Sequence, residues 1–195
     1  SGAAISMRFG LQGPNETICT ACAAATHAIG YAARLIAWGR CDAMVTGGSE
    51  AAGTATSIAG FNNMTALSST GQSRPFDRER DGFVMGEGAG IFVLEAWDHA
   101  VNRGATILGE ILGSASNADA HHITAPSPGG KGAINCMRLA LDEAGLNHDA
   151  IAYINAHGTS TPFNDANETK AIKKVFGDFA MKVPVSSTKS MTGHM

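Results

Sequence analysis

The residues with the most chemical reach in this 195-residue sequence are Cys22, His157, Lys189 and His194. Cys22 lies in CTACAAA (19–25), where a turn of small residues runs straight into an Ala-rich stretch of helical character. A thiol at a helix N-terminus faces the positive end of the helix dipole and unpaired N–H groups, which favours the thiolate and makes a nucleophile. Taken alone, a cysteine among alanines is also what an inert buried side chain looks like. With Cys19 it forms a CxxC, which suits a dithiol redox couple or half of a zinc site. No second CxxC or closely spaced His pair completes a tetrahedral set, so no metal is expected. His157 stands in NAHGTST (155–161), after a short apolar run and before a glycine turn with three hydroxyl residues, where α/β folds bring their ligands. His194 ends SSTKSMTGH (186–194), a small polar segment that also carries Lys189. By itself, each of these histidines is more simply a hydrogen-bonded structural residue.

The remaining polar clusters carry less chemistry. His121 and His122 are adjacent, so on a strand they point to opposite faces and cannot chelate together. His27, His99 and His148 read as structural. In RPFDRERDG (74–82), Asp77, Glu79 and Asp81 alternate with Arg74, Arg78 and Arg80, the pattern of a salt-bridged loop. GEGAG (86–90) runs into an apolar strand instead of opening a helix, which argues against a dinucleotide loop. GGSEA (47–51) has no Lys and no phosphate-cradling pattern.

These residues must be positioned by ordinary globular elements. Hydrophobic residues make up 44% of the chain and charged residues 16%. The net charge of −3 and isoelectric point near 6.1 supply no basic field for a phosphate backbone, so nucleic-acid binding is not expected. No apolar run approaches the ~20 residues of a membrane span, and the first ten residues lack the layout of a signal peptide. A soluble cytoplasmic protein with four free thiols follows. The chain opens without Met and stops just after the 186–194 motif, so both ends read as cut from something longer.

Ala-rich 23–38 predicts a largely buried helix ending near Gly39, with Cys22 at its N-terminus. Runs 43–47 and 90–95, bounded by Gly, predict buried strands with a long polar, Gly-rich connection between them. Further strands are predicted over 106–113, 150–156 and 183–187, and helices over 130–144 and 164–176. Strands alternating with helices argue for an α/β fold with a mixed or parallel sheet, and a seam falls near 99–105.

CTACAAA, SRPFDRERDGFVMGEGAG, NAHGTSTPFND and SSTKSMTGH, in this order, resemble the signature set of the β-ketoacyl-[acyl-carrier-protein] synthases, most closely the type II elongating members. The resemblance covers essentially the whole chain. It implies a thiolase-like αβαβα layered fold, here incomplete: residues 1–103 would be the later part of a first half with the nucleophile, and 104–195 the early part of a second half with the His/Lys/His set. It implies an acyltransferase of fatty acid biosynthesis in which Cys22 takes an acyl chain from acyl carrier protein. His157, Lys189 and His194 then support decarboxylation of malonyl-carrier protein and Claisen condensation to the 3-oxoacyl product and CO2. Two neutral imidazole N–H groups aimed at the enolate oxygen would stabilise its charge, and a cysteine thioester splits the transfer into two easier steps.

Similarity further implies that Thr124, Thr159 and Thr161 hydrogen-bond the phosphopantetheine arm, that Phe61 and Phe83 form apolar walls, and that Glu168 supports the network. Asn155 lies where related enzymes hold a monovalent cation, but no metal is predicted from it. No resident cofactor is implied, because phosphopantetheine arrives on the carrier protein. Acyl carrier protein and a second copy of the chain are the implied partners. Polyketide ketosynthases of the family read closer to TACSSS, EAHGTGT and KSNIGH, chain-length factors lack the Cys, and thiolases carry a second cysteine in place of the two-His pattern. A non-catalytic module of the same fold remains a competing reading. A CxxC thiol oxidoreductase is another, and it alone requires Cys19 to be as reactive as Cys22.

Overall fold

The computed structural model describes residues 2–195. In chain order the helices are α1 (Gly2–Phe9), α2 (Ala24–Ala37), α3 (Ala55–Asn63), α4 (Trp97–Asn102), α5 (Lys131–Ala144), α6 (Pro162–Phe176) and α7 (Lys189–Thr192). The strands are β1 (Ala43–Glu50), β2 (Gly88–Glu95), β3 (Ile154–Asn155) and β4 (Val185–Ser186). They form two compact units, one from the described part of Ser1–Ser49 with Ala89–Ile111, the other from Glu50–Gly88 with Leu112–Met195. The chain crosses between them at 49–50, 88–89 and 111–112, so each unit draws on both sides of the seam expected near 99–105.

In the first unit, β1 and β2 are neighbours in a two-stranded sheet. Gly47 makes that pairing possible, because its φ of 141° is hostile to a side chain and a Cβ there would overlap the Gly90 carbonyl. α2 ends where Gly39 turns left-handed, as its sequence predicts, and buries Gly30, Ala32 and Leu35. The helix is largely buried, as expected: of its other residues only Thr26 and Ala37 are exposed, and the rest keep a minor part of their surface in solvent. β2 was also expected to be buried; Ile91, Phe92 and Val93 are instead exposed, Val93 by 63%. Its one sheet neighbour among the described residues is β1, which pairs its backbone without covering its faces.

In the second unit, α5, α6 and β3 close over a core of Ile172, Phe176 and Val183, with Met137, Ile151 and Ile154 packed against it. Each fully buried side chain of this size contributes about 1.5–3 kcal/mol. α6 starts two residues before the predicted 164, at Pro162, with Asp165 in its first turn and Lys173 and Lys174 in its last, the placement the helix dipole favours. β3 and β4 pair in parallel with Ile154 opposite Val185 and Asn155 opposite Ser186. Both are shorter than the runs 150–156 and 183–187 predicted.

Residues 106–113 form no strand; Leu108 is 96% exposed, and among the described residues nothing pairs with this segment. Alternating apolar residues permit a strand, but only a hydrogen-bonded neighbour makes one. The stretch between β1 and β2, read from the sequence only as a long polar, Gly-rich connection, contains α3, whose Thr54 hydroxyl caps it by accepting from Ser57 N at 3.3 Å. No helix among the described residues is long and apolar enough to cross a membrane.

Candidate active site

In the first unit, Cys22 sits in a single 3₁₀ turn, Ala21–Ala23, that leads directly into α2. The turn is entered through Ala21 at φ 51°, a left-handed conformation that costs a non-glycine residue about 1–2 kcal/mol. It is closed by Ala23 N donating to Thr20 O at 3.2 Å, and Thr20 Oγ1 lies 2.8 Å from His27 Nδ1. The thiol is exposed at the helix N-terminus, as the sequence predicts. Cys19 is exposed too, so accessibility does not separate the pair. Backbone placement does, since only Cys22 belongs to the helical turn.

The second unit holds the other predicted residues. Parallel pairing of β3 with β4, extended by Ala156 N donating to Ser186 O at 2.8 Å, sets the 155–161 and 186–194 motifs side by side. His157 follows β3. Its N–H and that of Gly158 donate to the two carboxylate oxygens of Glu168 on α6, at 2.7 and 2.8 Å. Glu168 therefore fixes the turn that carries the imidazole. Gly158 has no room for a side chain, because a Cβ would stand 2.5 Å from that of Ser187 and 2.9 Å from the Phe76 ring.

His194 is held by a bridge to Met85: His194 N donates to Val84 O at 2.7 Å and Gly86 N donates to His194 O at 2.8 Å. The imidazoles of His157 and His194 stand edge to face with centroids 5.7 Å apart. Phe83 packs on His194 at 5.3 Å and Phe61 on Phe83 at 5.1 Å, so the two predicted wall residues form one aromatic row ending on an imidazole. Lys189 opens α7, and its carbonyl accepts from Ser73 Oγ at 2.6 Å.

This setting disfavours imidazolium. Although His157 keeps part of its surface in solvent, partial loss of surrounding water, then the positive charge of Lys189 and of His194, lower it to about 4 against an opposing pull from Asp165. His194 is lowered chiefly by the same desolvation and by Lys189, opposed by the Met195 carbonyl and Glu50. At neutral pH both rings are uncharged, each with one N–H to donate.

Thr159 and Thr161 also come together, their hydroxyl oxygens 2.8 Å apart. Thr124 is held in a separate exposed turn by donation of its N–H to His122 Nδ1 at 3.1 Å, and among the described residues no hydrogen bond joins it to that pair. Asn155 Oδ1 accepts from Thr188 N at 3.3 Å, a further tie between the two motifs.

Sequence reasoning missed the supports beneath these residues. Asp165, 1% exposed, accepts from Phe76 N at 2.8 Å and Thr159 N at 3.0 Å, with Arg80 Nε 3.7 Å away. Its position three residues before Glu168, in the turn after Pro162, was the available signal. The 74–82 loop was expected to be held by surface ion pairs, and Arg74 does meet Asp81 at 3.4 Å. Its larger task is to strap the 157–162 turn. Arg80 donates to the Thr161 and Pro162 carbonyls at 3.1 and 2.8 Å, and Gly82 N donates to Ser160 O at 3.0 Å. Asp81 accepts from Ser68 Oγ, Ser69 and Thr70, bonds that hold its carboxyl well below the usual carboxylate range.

The profile described as beta-ketoacyl synthase, N-terminal domain, matches residues 2–100, and the beta-ketoacyl synthase C-terminal domain matches 108–195. The chain is 52% identical over 195 residues to the 3-oxoacyl-[acyl-carrier-protein] synthase 2 of Synechocystis sp., a match taking in 97% of this chain and 47% of that protein. It is 50% identical over 196 residues to the enzyme of the same name from Coxiella burnetii, covering 98% and 47%. Among solved structures, a beta-ketoacyl synthase from Burkholderia phymatum superposes with a TM-score of 0.92 at 41% identity, covering 99% of this chain and 47% of that one. A type II polyketide ketosynthase solved with its acyl-carrier protein gives 0.96 at 41% identity, covering 99% and 49%. The chain thus spans about half the length of the relatives it matches and carries that part of the thiolase-like α/β fold. With its two domain models matched over residues 2–100 and 108–195, the chain belongs to the beta-ketoacyl synthase family.

Proposed function

We propose that this chain carries the catalytic residues of a 3-oxoacyl-[acyl-carrier-protein] synthase of fatty acid biosynthesis, an acyltransferase. The Cys22 thiolate attacks the thioester of an acyl-carrier protein, forming the Cys22 thioester and expelling the carrier thiolate, which takes a proton from water. Malonyl-carrier protein then loses CO2, and the electron pair of the broken C–C bond becomes an enolate. The enolate carbon attacks the Cys22 thioester, and the tetrahedral intermediate expels the Cys22 thiolate to leave the 3-oxoacyl-carrier protein. His157 and His194 donate N–H bonds to the enolate oxygen, and the Lys189 charge keeps both rings neutral and adds to the positive field.

Thr124, Thr159 and Thr161 hold the phosphopantetheine arm in this reading, Phe61 and Phe83 line the acyl and malonyl sites, and Glu168 positions His157. The reaction needs no resident cofactor or metal. Acyl carrier protein and a second copy of the chain are the partners, in the cytoplasm, with 1–103 and 104–195 as parts of the two thiolase-like halves. The observation that carries the reading is the edge-to-face imidazole pair whose pKa values are both lowered. Donation from a neutral ring suits a developing oxyanion without offering the enolate an acidic proton.

A polyketide-type ketosynthase is the second reading, because solved neighbours include a type II polyketide ketosynthase at 41% identity and a ketosynthase with its chain length factor at 39%. The 50–52% identity to fatty-acid enzymes favours the first. Intact-mass and peptide mass spectrometry after exposure to an acyl thioester tests the nucleophile. Acylation confined to Cys22, and absent in Cys22→Ala, supports it; equal labelling of Cys19 and Cys22 points to the dithiol reading instead.

A further inference from the structure

We propose that Ser160 is a positioning residue that sets the Thr159 and Thr161 hydroxyls as a two-point clamp for an amide-bearing chain; the choice of ligand rests on the function proposed above. Ser160 is completely buried and adopts φ 68°, one of five non-glycine residues with positive φ among the described residues. In an extended segment, residues i and i+2 share a face but their side chains stand roughly 7 Å apart. The left-handed residue between Thr159 and Thr161 folds the segment back, so that the two hydroxyl oxygens meet at 2.8 Å.

The strained backbone is held from beneath. Ser160 Oγ accepts from Arg74 N at 2.9 Å, Ser160 O accepts from Gly82 N at 3.0 Å, and the flanking Thr159 N donates to Asp165 at 3.0 Å. The serine side chain thus turns inward onto the 74–82 strap while the flanking hydroxyls pair with each other, that of Thr161 on a partly exposed residue and that of Thr159 on one 6% exposed. Each hydroxyl can donate one bond and accept others, which matches the alternating C=O and N–H groups of a pantetheine-like chain. Alanine at 160 would keep the backbone strain and leave Arg74 N without its acceptor. Glycine would also lose the acceptor but would relieve the strain, so it is the milder change.

The test is an NMR titration of the isotopically labelled 195-residue chain with pantetheine, and with an alkanethiol of equal length lacking amides. In the wild type, pantetheine shifts the Thr159 and Thr161 amide resonances and the alkanethiol does not. Ser160→Ala raises the pantetheine Kd about tenfold, the loss of about 1.4 kcal/mol, and Ser160→Gly raises it less. In a Thr159→Val/Thr161→Val background, Ser160→Ala has no further effect on binding. Should Ser160→Ala fail to fold, Ser160→Gly carries the comparison. Unchanged affinity in the folded variants, or an equal loss with and without the two threonine hydroxyls, overturns the proposal. A wild-type chain that ignores pantetheine, while the free Ser160→Ala variant shows displaced Thr159 and Thr161 resonances, refutes the choice of ligand and leaves the positioning role standing.

Discussion

Removing the Asp165 carboxylate should unfasten the 157–162 turn of the second unit more than any other single change to a support. The side chain is 1% exposed, and its two oxygens accept from Phe76 N at 2.8 Å and Thr159 N at 3.0 Å. Asp165→Ala leaves both N–H groups without that acceptor. A buried donor without a partner costs roughly 1–3 kcal/mol, so the pair costs about 4 kcal/mol. In a chain of this size each kcal/mol moves the melting temperature by about 2–4 °C, giving a fall of about 8–16 °C. Asp165→Asn keeps one carbonyl oxygen and turns an amide NH2 toward the other donor, for a cost of about 2 kcal/mol. Urea unfolding followed by circular dichroism gives both values. An Asp165→Ala midpoint within about 0.5 kcal/mol of wild type would show that water or a shifted backbone takes over both donors, and the account of how the turn is held would fail.

The imidazole pair makes a pH prediction. The folded pKa of His157 is about 4 and its free value is 6.5, so between these pH values the unfolded chain binds the extra proton. Its contribution is complete above about pH 6.5 and is lost as the pH falls toward 4. The NMR titration of the His157 ring should therefore have its midpoint near 4; a midpoint near 6.5 refutes the desolvated site. Asp81 has the carboxylate dependence. Its folded pKa lies below the ordinary value, so its contribution is present above the ordinary carboxylate pKa and lost in acid, and Asp81→Asn should flatten the acid limb of a stability profile. Gly47→Ala should cost about 3 kcal/mol or more because the new methyl meets the Gly90 carbonyl, whereas Gly10→Ala, at φ 67° with open space around it, should cost about 1 kcal/mol in a thermal melt.

The helices were the most legible part of the fold. α2, α5 and α6 each carry their own punctuation: Gly39 and Gly145 at φ 66° and 65° end two of them, and Pro162 opens the third. Such signals are local and survive whatever packs around them. Strands carry none, since their hydrogen bonds come from elsewhere in the chain. Residues 106–113 and β3 have similar apolar content, yet only β3 gained a partner, and its pairing with β4 depends on residues about thirty positions away. α3 was hidden for a different reason: its start signal, Thr54 accepting from Ser57, lies in a stretch of Gly, Ala, Ser and Thr that reads as a loop by composition.

The site divides along the same line. Cys22, His157, Lys189 and His194 were visible because reactive side chains in short motifs announce themselves by type. Asp165, Ser160 and Arg80 were not, because their work is directed at backbone groups whose positions only the fold defines. Arg80 looked like one charge among three in an alternating loop, yet its guanidinium spends three N–H groups on the carbonyls of Thr161, Pro162 and Asp77. A carbonyl has no sequence signature, so no ion-pair pattern foretells this use. Arg80 supports the turn through planar geometry as well as charge, and replacement by Lys would keep the charge while losing the fork that reaches several carbonyls at once. The strap is therefore better understood as backbone scaffolding for the 157–162 turn than as a set of surface ion pairs, which at their exposure contribute little each.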